Sequence, residues 1–361
     1  MRKRIKVLCV AGARPNFIKI ASLFEEFKKN KKIKPILVHT GQHYDFEMSQ
    51  VFFQELKIPK PDYNLNVGSG SHAWQTARVM EKLEPVILKE KPDLVIVVGD
   101  VNSTLAGALV AAKLHISIAH IEAGLRSFDK TMPEEINRVL TDHISDFLFC
   151  PTKTAVRNLR KEGIKKGVYN VGDTMQDVLF SSVANIRRSK LLEKLGLKPK
   201  QYLLLTIHRA SNVDNLDNLR KIIIAVIESG EKIIFPIHPR TRKQFEKLKI
   251  HKFENIKIID PVSYFDMLVL EKNAKKIVTD SGGVQKEAYW LKVPCVTLRE
   301  NTEWVETIKT GWNSLVGINR NKILRAIKEP NLKMKRYIFS DNGKSIFKII
   351  KIIENAGQNK I

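Results

Sequence analysis

Short apolar, β-branched runs alternate with longer stretches in which apolar residues recur at helical spacing. In the first half the short runs are Lys6–Val10, Pro35–Thr40, Leu94–Val98, Ser117–Ile121, Phe147–Cys150 and Val168–Val171. In the second half they are Tyr202–Ile207, Lys232–Ile237, Ile256–Ile259, Lys276–Thr279 and Cys295–Leu298. Continuous apolar runs suit strands buried on both faces, and their alternation with helical patterns such as Leu83–Glu90 and Leu216–Ser229 predicts parallel sheets. Two such series predict an α/β chain with two Rossmann-like, doubly wound domains and a ligand cleft between them. We expect an N-terminal domain over residues 1–175 and a C-terminal domain over 176–342. A last amphipathic helix, within 343–361, should pack back on the first domain. The boundary falls after Gly172, near Asp173–Phe180, and the charge-rich Asn185–Pro199 reads as a surface helix and loop.

The length of 361 residues exceeds what one core usually serves, in keeping with two domains. No apolar run reaches the ~20 residues of a membrane span. The basic start Met1-Arg2-Lys3-Arg4 is followed by an apolar run broken at Lys6 and stopped at Arg14-Pro15, so it reads as a first strand and not as a leader. A cytoplasmic protein with no membrane insertion is expected. Cys9, Cys150 and Cys295 lie far apart in apolar runs, which predicts buried thiols and neither a disulfide nor a zinc site. The net charge of +24 attracts anions. Its lysines are scattered, as at Lys28-Lys29 and from Lys190 to Lys200, and are not interleaved with stacking aromatics. A solvated basic surface and an anionic small substrate are therefore expected, with no nucleic-acid partner.

Open parallel sheets bind ligands beyond the carboxyl ends of their strands. In the first half those ends carry Gly12-Ala13-Arg14, Gly41-Gln42-His43, Gly99-Asp100 and Glu122-Ala123-Gly124. In the second they carry His208-Arg209, His238-Pro239-Arg240 and Asp280-Ser281-Gly282-Gly283. The Ser281-Gly282-Gly283 turn leads into a helix near Val284, an arrangement that offers amides and a positive dipole end to a phosphate. A plain strand-to-helix turn would look the same. Glu287, early in that helix, suits the two hydroxyls of a ribose. Arg14, Lys19, His208, Arg209 and His238 can clamp a diphosphate, although Lys19 also fits a solvated helix face and His238 a structural hydrogen bond. No DxD or HExxH pattern supports a metal. Asp100 and Glu122 are candidates for acid–base work. Glu134 is a third, although Pro133-Glu134-Glu135 is equally a helix start whose acids serve the dipole.

All of these residues except Gly41-Gln42-His43 fall in the segments GARPNFIK, GDVNSTLAG, HIEAGLRS, MPEEINRVLTDH, IHRASN, HPRT and DSGGVQKEA, within a stretch from Gly12 to Gly311-Trp312-Asn313. In this order they resemble the non-hydrolysing UDP-N-acetylglucosamine 2-epimerases, which have the GT-B fold. The resemblance implies that Asp100, Glu122 and Glu134 are catalytic. It implies that Arg14, Lys19, His208, His238, Ser281, Gly282, Gly283 and Glu287 hold UDP, with Arg138 near the sugar and phosphates. The segment Pro261–Met267, including Val262 and Met267, matches the loop that reads uracil. A homodimer and no cofactor are also implied, and Gln42-His43 matches an allosteric site for a second UDP-sugar. There are departures. The arginine of a Thr-Glu-Arg-Pro-Glu motif is Trp304 here, and an arginine of the allosteric site is replaced within Val67-Gly68-Ser69-Gly70. The segments GARPNFIK, VQKEAYWLKVPC and TEWVET-IKTGWNSLVG look more like the branch that epimerises UDP-2,3-diacetamido-2,3-dideoxyglucuronate. A GT-B glycosyltransferase is the alternative of another class.

Overall fold

A computed structural model describes residues 4–42, 53–248, 250, 254–329, 334 and 343–358. The chain forms two compact units, one of Met1–Ser181 with Phe339–Ile361 and the other of Ser182–Ile338.

The first unit is built on a parallel sheet. Its strands are β1 (Ile5–Ala11), β2 (Ile33–His39), β3 (Tyr63–Asn64), β4 (Leu94–Val98), β5 (Ser117–Ile121), β6 (Phe147–Cys150) and β7 (Val168–Asn170), in the order β3-β2-β1-β4-β5-β6-β7. Every residue of β4 is buried, as its all-apolar sequence requires of a central strand. The helices between the strands are α1 (Arg14–Lys29), α2 (His72–Glu90), α3 (Asn102–Lys113), α4 (Pro133–His143) and α5 (Lys153–Lys161), followed by α6 (Thr174–Ser181). The helix α2 begins well before Leu83, because Ser71 caps it by accepting from the Trp74 amide. Its buried face includes Gln75, a polar residue that hides the apolar period.

The second unit repeats the plan. After the short α7 (Val183–Arg188) and α8 (Leu191–Leu195) come β8 (Leu203–Thr206), α9 (Ala210–Val213), α10 (Leu216–Ile227), β9 (Ile233–Pro236), α11 (Pro239–Lys247) and β10 (Ile256–Ile259). Then follow α12 (Tyr264–Asn273), β11 (Lys276–Thr279), α13 (Gly282–Trp290), β12 (Cys295–Thr297), α14 (Val305–Lys309), β13 (Asn313–Leu315) and α15 (Arg320–Lys328). The sheet is parallel with the order β10-β9-β8-β11-β12-β13. The edge strands β3 and β13 were not anticipated, since two or three residues without an apolar run leave no pattern to read. The last helix, α16 (Ser345–Gln358), belongs to the first unit. Asp177 of α6 caps it, accepting from the amides of Ser345 at 3.3 Å and Ile346 at 2.8 Å.

Candidate functional site

In each sheet the strand order reverses once, between β1 and β4 and between β8 and β11. Crevices open at such points. In the first unit Asn16 ties the two strand ends together. Its Oδ1 accepts from the amides of Gly12 and Ala13 at 3.1 and 3.0 Å, and its Nδ2 donates to the Val98 carbonyl at 2.8 Å. One turn further along α1, Lys19 is ion-paired with Glu122 at the end of β5, both side chains being more than nine-tenths buried. Lys19, read as a diphosphate clamp, places its ammonium on a candidate catalytic acid, and its burial excludes a solvated surface lysine. Gly99 packs against this pair. A Cβ there would lie 3.0 Å from Lys19 Nζ and 3.5 Å from Glu122 Oε2, and its φ of +69° suits glycine. Glu122 itself holds φ at 75°, uncommon for a side-chain-bearing residue. Such strain persists only where the surroundings impose it, and it clusters at functional sites.

Asp100, next to Gly99, pairs with Arg138 of α4, which also reaches Glu135 at 2.9 Å. The two adjacent acids of α4 are thereby separated in role. Glu135 is spent on the scaffold, accepting from the Ser127 amide and hydroxyl and the Phe128 amide, each at 2.9 Å. Glu134 is half-buried, and among the described residues its carboxylate has no hydrogen-bond partner. Beneath the site lies a network that the sequence reading did not single out. His120 is fully buried, with Nδ1 2.7 Å from Asp142 and Nε2 2.8 Å from the Gly99 carbonyl. Asp142 also accepts from Arg126 at 2.6 Å. Burial pushes the Asp142 carboxyl up, but the adjacent His120 and Arg126 outweigh it and hold the group below its ordinary value. Both residues stand inside the quoted segments, which was the only signal.

In the second unit the wholly buried Asp280 organises the reversal point. It accepts from the amides of His208 at 3.1 Å and Arg209 at 3.0 Å and from Asn212 Nδ2 at 3.1 Å. His208 and His238 are thereby neighbours, with ring centroids 5.9 Å apart. His238 Nδ1 accepts from the Arg240 amide at 3.1 Å and so caps α11. Ser281 Oγ accepts from the Val284 amide at 3.4 Å, and Gly282 and Gly283 form the first turn of α13, whose leading amides have no acceptor within the helix. Glu287 follows, 5% exposed. Where the resemblance has an arginine, Trp304 is buried, and Lys286 Nζ lies 4.2 Å from its ring centroid, a cation–π contact. A cation is therefore retained beside the substituted position. Val262 and Met267 pack partly buried against the core of this unit.

Gln42, read as allosteric, accepts from the Ser103 amide at 3.1 Å and hydroxyl at 2.7 Å, closing β2 against α3. The Gly68 amide donates to the Gly41 carbonyl at 2.8 Å, so the altered segment at 67–70 does adjoin it. Burial pushes the His39 imidazole down to about 4, which suits its Nδ1 to accept from the Gly41 amide. His43 lies outside the described residues. Among the described residues no three His, Cys, Asp or Glu side chains converge as a metal site requires.

Two doubly wound parallel sheets in one chain, with their polar groups at the reversal points, define a GT-B-like α/β protein. A family model described as UDP-N-acetylglucosamine 2-epimerase matches residues 25–354. A UDP-N-acetylglucosamine 2-epimerase homolog of Methanococcus maripaludis is 56% identical over 97% of this chain and 100% of its own. The UDP-2,3-diacetamido-2,3-dideoxy-D-glucuronate 2-epimerase of Pseudomonas aeruginosa is 47% identical over 89% of this chain and 91% of its own. Among solved structures, that of Methanocaldococcus jannaschii UDP-GlcNAc 2-epimerase in complex with UDP-GlcNAc and UDP has a TM-score of 0.91 and 45% identity, covering 97% of this chain and 100% of that one. The chain belongs to the UDP-N-acetylglucosamine 2-epimerase family.

Proposed function

We propose that the protein interconverts UDP-N-acetylglucosamine and UDP-N-acetylmannosamine. The observation that carries this reading is the pairing of an acid with a cation at two adjacent strand ends, Glu122 with Lys19 and Asp100 with Arg138. No carbonyl adjoins C2 within the sugar ring, so removal and return of that proton alone would be slow. If UDP departs from C1 while a carboxylate takes the C2 proton, the C1–O and C2–H bonds both break and 2-acetamidoglucal forms. UDP then adds back to C1 and a proton enters C2 from the other face. The sequence is redox-neutral and balances without an electron carrier. Two faces require at least two carboxyl groups, and Asp100, Glu122 and Glu134 are assigned to this work. His208, Arg209, His238, Arg14 and the amides at Ser281–Gly283 are assigned to the departing diphosphate, whose charge grows as the bond breaks. Glu287 is assigned to the ribose and the loop with Val262 and Met267 to uracil. A glycosyltransferase would leave the paired acids without a task.

Turnover in D2O should place deuterium at C2 of the product, read by proton NMR, because a carboxyl group exchanges its proton with solvent between the two steps. Complete retention of protium would contradict the elimination route.

A cytoplasmic setting is supported by three free, buried cysteines. Among the described residues no helix is long and apolar enough to cross a membrane. A homodimer is supported by Ile136 and Leu140, one turn apart on α4 and 48% and 47% exposed. Beside them lies a cavity of about 360 Å³ lined by Ala73, Ala77, Met80 and Pro133. Burying such a face between two copies removes apolar area from water. Leu140→Asp should therefore shift sedimentation from dimer to monomer; an unchanged dimer would place the interface elsewhere.

A further inference from the structure

Helix α12 carries an acid that none of the chemistry above uses. Glu271 is wholly buried, and among the described residues no N–H or O–H donates to either of its carboxyl oxygens. The charged group it faces is the Glu287 carboxyl of α13, the helix against which α12 packs, and the two carboxyls act on each other as like charges. Its other titratable neighbours are Tyr202 and Cys295. The Tyr202 hydroxyl is committed to the Leu270 carbonyl at 2.7 Å, and the Cys295 thiol lies 3.8 Å from the Thr297 hydroxyl. Among the described residues the influences on Glu271 are its burial and Glu287, and no lysine, arginine or histidine is among them.

An ionised carboxylate in this place would have neither a donor nor a counter-charge, and it would face a second carboxylate. The neutral acid is far less costly to bury. Burial and Glu287 together push Glu271 well above the usual carboxylate range. Two carboxyl groups in contact are stable when they share one proton, and the better-buried one keeps it.

We propose that Glu271 is a positioning residue for the nucleotide site: as a neutral acid it donates to Glu287, holding one Glu287 oxygen inward and leaving the other to a ribose diol. This deepens the assignment of Glu287 to the ribose and rests on it. The shared proton limits the pair to one negative charge, which matters beside a diphosphate. The internal hydrogen bond also removes rotamer freedom that ribose binding would otherwise have to remove.

The test uses the full chain and two variants. Glu271→Gln keeps a neutral donor, and Glu271→Met fills the space without one. Titration calorimetry should find UDP affinity within about threefold of wild type for Gln and about tenfold weaker for Met, while 2′-deoxy-UDP, which lacks half of the diol, distinguishes the two variants much less. In the nucleotide-free protein at neutral pH, the infrared difference between wild type and Glu271→Gln should contain the carbonyl stretch of a protonated carboxylic acid. Absence of that band overturns the proposal. So does a Met variant that binds UDP as wild type does, or a Gln variant as impaired as Met. Glu287→Ala separates the two readings. If it leaves UDP affinity unchanged while the band persists in wild type, the ribose assignment is the part that fails, and the positioning role fails with it.

Discussion

Glu122→Gln is expected to lower kcat by at least ~100-fold while UDP affinity changes little, since general acid–base groups contribute on that scale and act on the sugar. Asp100→Asn and Glu134→Gln should do the same. The three substitutions differ in what else they disturb. Removing the charge of Glu122 leaves Lys19 buried without its counter-ion, and an uncompensated buried charge is strongly destabilising. Glu122→Gln should therefore also lower the melting temperature, and UDP titration must confirm that the folded fraction is intact. Asp100 is more exposed than its partner Arg138, which retains Glu135, so Asp100→Asn should be the milder change in stability. Among the described residues Glu134 has no partner to lose, and its substitution isolates the chemical role. If Glu134→Gln turns over near the wild-type rate, Glu134 serves only the α4 dipole, and the second proton position falls to Asp100.

With the two sugars compared side by side, kcat/KM for UDP-N-acetylglucosamine should equal or exceed that for UDP-2,3-diacetamido-2,3-dideoxyglucuronate. The relatives include enzymes named for each, so sequence likeness alone does not choose between them. The charges of the first unit do favour the simpler sugar. Lys19 faces Glu122, Arg138 faces Asp100 and Glu135, and Arg126 faces Asp142 and Glu162. These cations are already balanced by acids, whereas a uronate needs an additional positive partner for its carboxylate. Against this, Lys286 beside Trp304 keeps a cation at the altered position of the second unit. A site built for the carboxylate and 3-acetamido groups would leave buried polar groups unpaired with the simpler sugar and reject it by ~10⁴-fold or more. A preference of that size for the uronate, measured by anomeric proton NMR, would overturn the first assignment and retain the mechanism.

Much of the architecture was legible in the pattern of apolar residues. Continuous runs such as Leu94–Val98 can be buried only between two layers, and their alternation with helices leaves little but doubly wound parallel sheets. The strand-end segments also stood out, because charged residues and glycines directly after an apolar strand have few structural reasons to be there. Element edges and partners were another matter. The edge strands β3 and β13 exist only because a neighbour offers a free edge. Lys19 and Glu122 lie 103 residues apart in sequence and meet only because β1, β4 and β5 align their ends. Glu134 and Glu135 are indistinguishable on a helical wheel's first turn until the amides of Ser127 and Phe128 close on one of them. Glu271 reads as an ordinary polar position near a helix end, and only the packing of α12 against α13 buries it opposite Glu287. Local sequence records the period with which a segment is buried; which charges face each other is decided by chain crossings, and these exist only in the folded molecule.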